Sequence, residues 1–137
     1  MKLLSAIKYL SLLFLFTSMS CEKIIIEKTF SIGQESTFRI HQMYTSTDGQ
    51  NTLQINEISD SRCPEGVECV WAGEVIIKGE WTSNKNKNPF ELHSVMKALE
   101  IQPDAFTIQI IDAKPYPTIG NVSKPEDLVI TLLIQNN

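Results

Sequence analysis

The residues of this sequence best placed to do chemistry are two cysteines, Cys63 and Cys69, with five residues between them. Pro64 and Gly66 lie in that interval and favour a tight turn. Such a turn can bring the two Cα atoms within the roughly 4.4–6.8 Å that a disulfide requires. A metal site would need two further ligands, and neither histidine lies at a suitable spacing. The spacing therefore predicts a disulfide that fixes the shape of a short loop.

Four carboxylates surround this loop, at Asp60, Glu65, Glu68 and Glu74. Oxygen ligands near a constrained turn could hold Ca²⁺. The sequence nevertheless lacks an Asp-x-Asp-x-Asp-Gly loop, so solvated charge is the favoured interpretation and calcium binding stays open. The two histidines, His41 and His93, fall in predicted strands on or near the solvent face. We expect no metal and no cofactor.

The motifs of common enzyme classes are absent from the sequence. It has no Gly-x-Ser-x-Gly, no phosphate-binding loop, and no serine or free cysteine with an evident histidine base. We therefore expect a protein that is not an enzyme and has no catalytic residues, while an enzyme with scattered groups remains the least favoured alternative.

The first 20 residues have the pattern of an export signal. Lys2 and Lys8 give a positive start, residues 9–16 form a short apolar segment, and small or adaptable residues precede Cys21. Eight apolar-rich residues are too few to span a bilayer, which needs about 20. A cysteine at this position resembles the lipidation site of a bacterial lipoprotein, although Ser18 stands where leucine is usual. Ordinary cleavage after Ser20 is the alternative, and it would give a secreted protein.

The cysteine count favours lipidation. The chain has three cysteines, and an unpaired thiol in an exported protein calls for an explanation. A lipid on Cys21 removes the unpaired thiol and leaves one closed pair in an oxidising compartment. We therefore predict a signal peptide at residues 1–20 and a lipid-anchored domain at residues 21–137, held in the bacterial envelope, with the outer membrane as the favoured location.

The size and charge of the mature chain fit one small acidic domain. Removing the first 20 residues leaves 117 residues with 10 basic and 16 acidic side chains, a formal charge of −6. That length suits a single domain. The acidic balance argues against nucleic acid as a partner and against charge-driven binding to anionic lipid.

Alternating apolar and polar residues indicate an all-β domain. About seven strands are predicted, at residues 24–30, 37–44, 52–58, 70–82, 90–95, 105–110 and 127–135. Asp48-Gly49 is a hairpin signal between the second and third. This pattern predicts a small β-sandwich or barrel.

The longest predicted strand, residues 70–82, follows the disulfide loop directly. In its period-2 pattern Trp71 shares a face with Val75 and Ile77. We therefore predict that Trp71 is a core anchor packed beside the disulfide.

The stretch from Cys63 to Gly73, Cys-Pro-x-Gly-Val-x-Cys-x-Trp-Ala-Gly, also resembles the signature of a family of small, mostly uncharacterised secreted proteins and lipoproteins of bacteria. The specific part of the resemblance, residues 61–73, covers about a tenth of the chain, and a weaker likeness extends to Pro115-Tyr116-Pro117 and the last strand. The resemblance implies a compact β domain in the cell envelope, and it implies no activity and no catalytic residue.

Two kinds of function follow from these expectations. The first is a non-enzymatic envelope lipoprotein that binds or scaffolds another envelope or extracellular component. The second is an inhibitor or ligand-binding module that presents residues 62–69 to a protein partner, because a loop made rigid in advance lowers the cost of binding. The contact residues of that loop would be Arg62, Glu65, Val67 and Glu68.

Overall fold

A computed structural model describes residues 28–136 of the chain, apart from residues 97, 102–105 and 122. The predicted signal peptide and Cys21 lie outside the described residues. Nine strands lie in the described part: β1 (Thr29–Phe30), β2 (Glu35–Phe38), β3 (Met43–Ser46), β4 (Asn51–Asp60), β5 (Val75–Ser83), β6 (Asn86–His93), β7 (Leu99–Ile101), β8 (Phe106–Lys114) and β9 (Val129–Asn136).

The strands form two separate sheets. The five-stranded sheet has the order β1-β3-β4-β5-β6, and the four-stranded sheet has the order β2-β9-β8-β7. All neighbouring strands are antiparallel except β1 and β3, which are parallel. The all-β prediction is confirmed, and of its two forms the sandwich is the one observed.

Two tight turns close the hairpins of the five-stranded sheet. Asp48-Gly49 joins β3 to β4 as predicted, with Gly49 at a φ of 74°. Asn84 and Lys85 join β5 to β6, and both adopt positive φ values, 49° and 67°. Consecutive left-handed residues give a turn whose twist matches that of the strands. β6 therefore begins at Asn86, four residues before the predicted strand.

The predicted strand at residues 37–44 is wrong, because it contains parts of two strands in different sheets. Phe38 ends β2 in one sheet, and Tyr44 lies in β3 of the other. His41 takes a φ of 60° where the chain crosses between them. The two rings nevertheless share one core, with centroids 4.7 Å apart in an edge-to-face arrangement. Alternation marked both residues as buried but could not show the crossing.

The core lies between the two sheets and has a row of aromatic rings at its centre. Trp81 of β5 is completely buried. Its ring centroid lies 5.9 Å from that of Phe30 and 5.1 Å from that of Phe106 in the opposite sheet. The last strand, β9, contributes alternate residues to the core, as predicted: Ile130, Leu132 and Ile134 are all buried. Leu128, just before β9, is buried as well.

The prediction that Trp71 is a core anchor is wrong. β5 begins at Val75, so Trp71 belongs to the preceding loop, and it is 82% exposed. Gly73 interrupts the alternation with a φ of 69°, and a Cβ there would lie 1.8 Å from the carbonyl oxygen of Ser61. Because the period-2 pattern ends at this close contact, Trp71 does not share the inward face of Val75. Trp81 is the tryptophan that anchors the core.

The two tryptophans should therefore respond oppositely to truncation. Trp81→Ala should cost about 3–5 kcal/mol in free energy of unfolding, as loss of a buried large aromatic usually does. Trp71→Ala should stay within about 0.5 kcal/mol of wild type, as surface changes do. Urea titration of both variants tests this, and a larger loss for Trp71→Ala than for Trp81→Ala would contradict the assignment.

Candidate binding surface

The disulfide loop closes one end of the sandwich, between the end of β4 and the start of β5. Cys63 and Cys69 are joined by a disulfide with their Cα atoms 5.9 Å apart, as predicted. The loop has a hydrogen-bonded stem, in which the Cys63 N–H donates to the Ala72 carbonyl at 2.9 Å and the Ser61 N–H donates to that of Glu74 at 2.9 Å. We call this end of the molecule the disulfide end.

Arg62 is the central side chain of the disulfide end. Its guanidinium donates to both carboxylate oxygens of Asp60, at 2.8 and 2.6 Å. It also donates to the carbonyl of Ala113 at 2.7 Å and to that of Pro115 at 3.1 Å. The Arg62 and Asp60 side chains are only 11% and 8% exposed. Arg62 therefore ties the end of β4 in one sheet to the end of β8 in the other.

Arg62 is not the freely exposed loop residue that the prediction of a partner contact supposed, because its side chain is only 11% exposed and its hydrogen bonds are directed inward. A contact of Arg62 with a partner stays a prediction. The sequence suggested an exposed charge because arginine usually lies at the surface. Asp60, two residues earlier, makes burial favourable. So do the carbonyls of Ala113 and Pro115 at the end of β8, which lie more than 50 residues away in the chain.

The pKa of the Asp60 carboxyl reflects this pair. Burial alone would raise it, but hydrogen bonds from the Arg62 side chain and backbone N–H, together with the charge of Arg62, hold the pKa below its ordinary value of 3.8. The pKa of Arg62 is raised, first by its hydrogen bond to Asp60. The pair is thus fully charged at neutral pH, and its contribution to stability is lost as the pH falls through the lowered pKa of Asp60.

A second loop, residues 115–121, lies against the disulfide loop. The Arg62 guanidinium stacks over the Tyr116 ring, 4.6 Å from its centroid. The Glu65 N–H donates to the Pro117 carbonyl at 3.0 Å. The Ile119 side chain lies against Gly66, where a Cβ would be 3.7 Å from its Cδ1 atom. The two loops therefore form one continuous surface.

This end of the molecule carries most of the exposed apolar side chains of the described residues. Nine large hydrophobic residues are exposed in the described part of the chain, and of these only Met43 lies away from the disulfide end. The other eight form what we call the apolar rim: Val67, Val70, Trp71, Val95, Met96, Ile111, Tyr116 and Ile119. By contrast, the two hairpin turns at the opposite end, residues 47–50 and 84–85, contain only polar residues and glycine.

Two parts of the apolar rim lie outside the disulfide loop and outside residues 115–121. Val95 and Met96 follow β6, and their neighbour Ser94 bonds to the backbone of Val75 at the start of β5. Ile111 of β8 lines a small cavity together with Ser94 and Arg62. The rim therefore extends across the ends of both sheets.

The other acidic residues in and beside the disulfide loop do not gather into one site. Glu65 and Glu68 are exposed on that loop, and so is Val67 between them, as expected of the loop tip. Glu74 instead pairs with His93, whose other ring nitrogen contacts Glu91, each at 3.1 Å. The hydrogen bond to Glu74 is the main cause that raises the pKa of His93.

No metal site is formed by the residues that the structure describes, and the two best-formed cavities among them are open or small. They contain no group of three or more His, Cys, Asp or Glu side chains arranged to hold a metal ion. The larger cavity, about 430 Å³, is an open depression on the outer face of the five-stranded sheet beside Lys78, Glu57 and Glu91. The cavity beside Arg62 is about 170 Å³, below the roughly 300–1,000 Å³ typical of ligand sites.

Comparisons with known proteins add no family or function. A scan against models of protein families, a search of curated proteins and a search of solved structures each found no match. The resemblance carried by residues 61–73 therefore stays a prediction. In the described part of the chain, no helix is long and apolar enough to cross a membrane.

Sequence reasoning missed most of the rim. It placed Val67 at the surface but assigned Trp71 to the core and gave no role to Val70, Tyr116 or Ile119. The available signal was the cluster of turn residues around Tyr116, because Pro115, Pro117 and Gly120 keep that segment outside the sheet.

Arg62→Ala should reduce the free energy of unfolding by about 3 kcal/mol or more, because it leaves the Asp60 charge buried without its partner. Arg62→Lys should lose less, since it keeps the charge but not the forked geometry. The control is Lys87→Ala, which removes an exposed ion pair with Glu80 and should cost at most about 1 kcal/mol. Equal losses for Arg62→Ala and Lys87→Ala in denaturant titration would contradict the structural role of Arg62.

Proposed function

We propose that this protein is an exported, lipid-anchored binding module of the bacterial envelope, without enzymatic activity, whose contact surface is the disulfide end. The observation that carries the proposal is the apolar rim, which holds eight of the nine exposed large hydrophobic residues of the described chain. Anchoring at Cys21 is supported by the export pattern of residues 1–20 and by the odd cysteine count.

Exposed apolar side chains of this kind are unfavourable in water unless a partner covers them. Val70 and Trp71 are 91% and 82% exposed, and they are adjacent in the chain. Contiguous apolar surface on a soluble domain commonly marks an interaction site. Tryptophan and tyrosine are also among the residues that contribute most to binding when they become buried. Trp71 and Tyr116 are thus the natural anchors of this surface.

The loops of the disulfide end are held in place before any partner arrives. The disulfide closes the first loop, and Arg62 and Glu65 bind it to the second. Loops ordered in advance lose little conformational entropy on binding. This rigidity supports a recognition role.

The alternative of an inhibitor that inserts residues 62–69 into a protease cleft is weakened. Arg62, the side chain best suited to such a cleft, is buried against Asp60. The exposed tip residues Glu65 and Glu68 are acidic, and the rim also includes loops outside this segment. We therefore propose contact through the whole end of the sandwich rather than insertion of one loop.

The absence of enzymatic activity belongs to the same proposal. In the cavity beside Arg62 the one hydroxyl among the lining residues, that of Ser94, accepts a hydrogen bond from the Val75 N–H at 3.0 Å, and among the described residues no hydrogen bond joins it to a base. The acidic side chains nearest the loop, Asp60 and Glu74, are engaged with Arg62 and His93.

Site-specific photo-crosslinking in the producing cell tests the proposed surface. A photoreactive residue at Val70 of the full chain should give adducts with envelope components, because this side chain would lie in the contact. The matched control is Met43, which is also exposed but lies in β3, away from the disulfide end. Adducts from both positions alike, or from Met43 only, would overturn the assignment of the surface.

A further inference from the structure

We propose that the apolar rim contacts the surface of a zwitterionic lipid bilayer. The domain would then lie on the membrane with its disulfide end facing the lipid. This inference deepens the proposed function and depends on it for the lipid anchor. The direction of the chain, the types of exposed residue and the arrangement of charge support it.

The direction of β1 leads away from the disulfide end, although Lys28 itself lies nearer the opposite end of the sandwich. β1 is parallel to β3 and runs towards the Asp48-Gly49 turn at the opposite end. Lys28, whose carbonyl accepts from the Thr45 N–H at 2.9 Å, therefore precedes a strand that leads away from the disulfide end.

The anchor is close enough to bring that end to the membrane. Lys28 comes seven residues after Cys21, and seven residues span at most about 25 Å. Along the sheet, Lys28 lies level with Leu53, since Thr29 pairs with Thr45 and Tyr44 pairs with Leu53. From Leu53 to the end of β4 at Asp60 is about 23 Å of strand. The length of chain between Cys21 and Lys28 therefore permits an anchor in the plane of the disulfide end, and the types of the exposed residues decide between the two ends.

The residue types of the rim suit the interface between lipid and water. Trp71 and Tyr116 have amphipathic rings of the kind enriched at headgroup level, and Val70 and Ile119 beside them are aliphatic. These side chains project from separate loops at the end of the sandwich. Such projection fits shallow insertion among lipids better than packing against a flat protein surface, which needs closely matched shapes.

The charges of the disulfide end determine which lipid it would accept. Three side chains that carry positive charge, or carry it when protonated, are already paired within the domain: Arg62 with Asp60 at 2.6 Å, His93 with Glu74 at 3.1 Å, and Lys114 with Asp112 at 3.0 Å. Glu65 and Glu68 are exposed on the disulfide loop and form no ion pair among the described residues. Exposed carboxylates are repelled by anionic headgroups, so we infer a zwitterionic surface.

Quenching of tryptophan emission tests the orientation. The full chain, isolated with its anchor, is reconstituted into phosphatidylcholine vesicles with and without a lipid that carries a shallow doxyl quencher. The wild type should lose the emission of Trp71, and the Trp71→Phe variant should lose almost none, because the remaining Trp81 is buried in the core. A control with Met43→Trp in the Trp71→Phe background should also stay unquenched, since position 43 lies away from the rim.

The outcomes separate this inference from the proposed function. Protein that fails to associate with vesicles overturns the anchoring and the inference together. Vesicle-bound protein whose Trp71 stays unquenched overturns the inference alone, and adducts of Val70 with a protein would then identify the partner class. Replacing half of the phosphatidylcholine by phosphatidylglycerol should reduce the quenching of Trp71, and an increase would overturn the zwitterionic assignment.

Discussion

The ion pair between Arg62 and Asp60 is the interaction on which the disulfide end depends. A buried guanidinium must have its donors and its charge satisfied, or it costs several kcal/mol. Here the carboxylate of Asp60 accepts hydrogen bonds from one edge of the planar guanidinium, and the carbonyls of Ala113 and Pro115 accept from its remaining donors. Since these acceptors belong to different sheets, satisfying one side chain fixes the relative position of two loops.

That constraint explains how a small domain can keep a tryptophan in water. Loops that were free to move would fold their apolar side chains back against the sheets, because burial of apolar surface is favourable. The disulfide, the hydrogen bond from Arg62 to the Pro115 carbonyl and the hydrogen bond from the Glu65 N–H to the Pro117 carbonyl oppose such a collapse of the loops. The sandwich therefore exposes its large apolar side chains mainly at one end, an asymmetry that suits attachment to a surface from one side.

Local features of the sequence were enough to predict the class of fold and the disulfide. The alternation of apolar residues located most strands, the turn residues between Cys63 and Cys69 indicated the pairing, and Asp48-Gly49 located a hairpin. These signals act over a few residues, and each reflects backbone conformation directly.

The parts that could not be predicted depend on contacts between distant residues. The burial of Arg62 requires the Ala113 carbonyl near the end of β8, and the exposure of Trp71 follows from the close contact of Gly73 with Ser61. The alternation around Trp71 continues unbroken through Gly73 in the sequence, so the pattern alone assigned the wrong tryptophan to the core. The apolar rim consequently emerged only from the three-dimensional arrangement.

Amide hydrogen exchange at Glu65 tests most directly whether Arg62 makes the two loops one rigid surface. The Glu65 N–H is bonded across the loops to the Pro117 carbonyl. The account predicts slow exchange in the wild type and much faster exchange in Arg62→Lys, with no change at Leu53 in the centre of β4. Rapid exchange of Glu65 in the wild type, or equal exchange in both proteins, would contradict it.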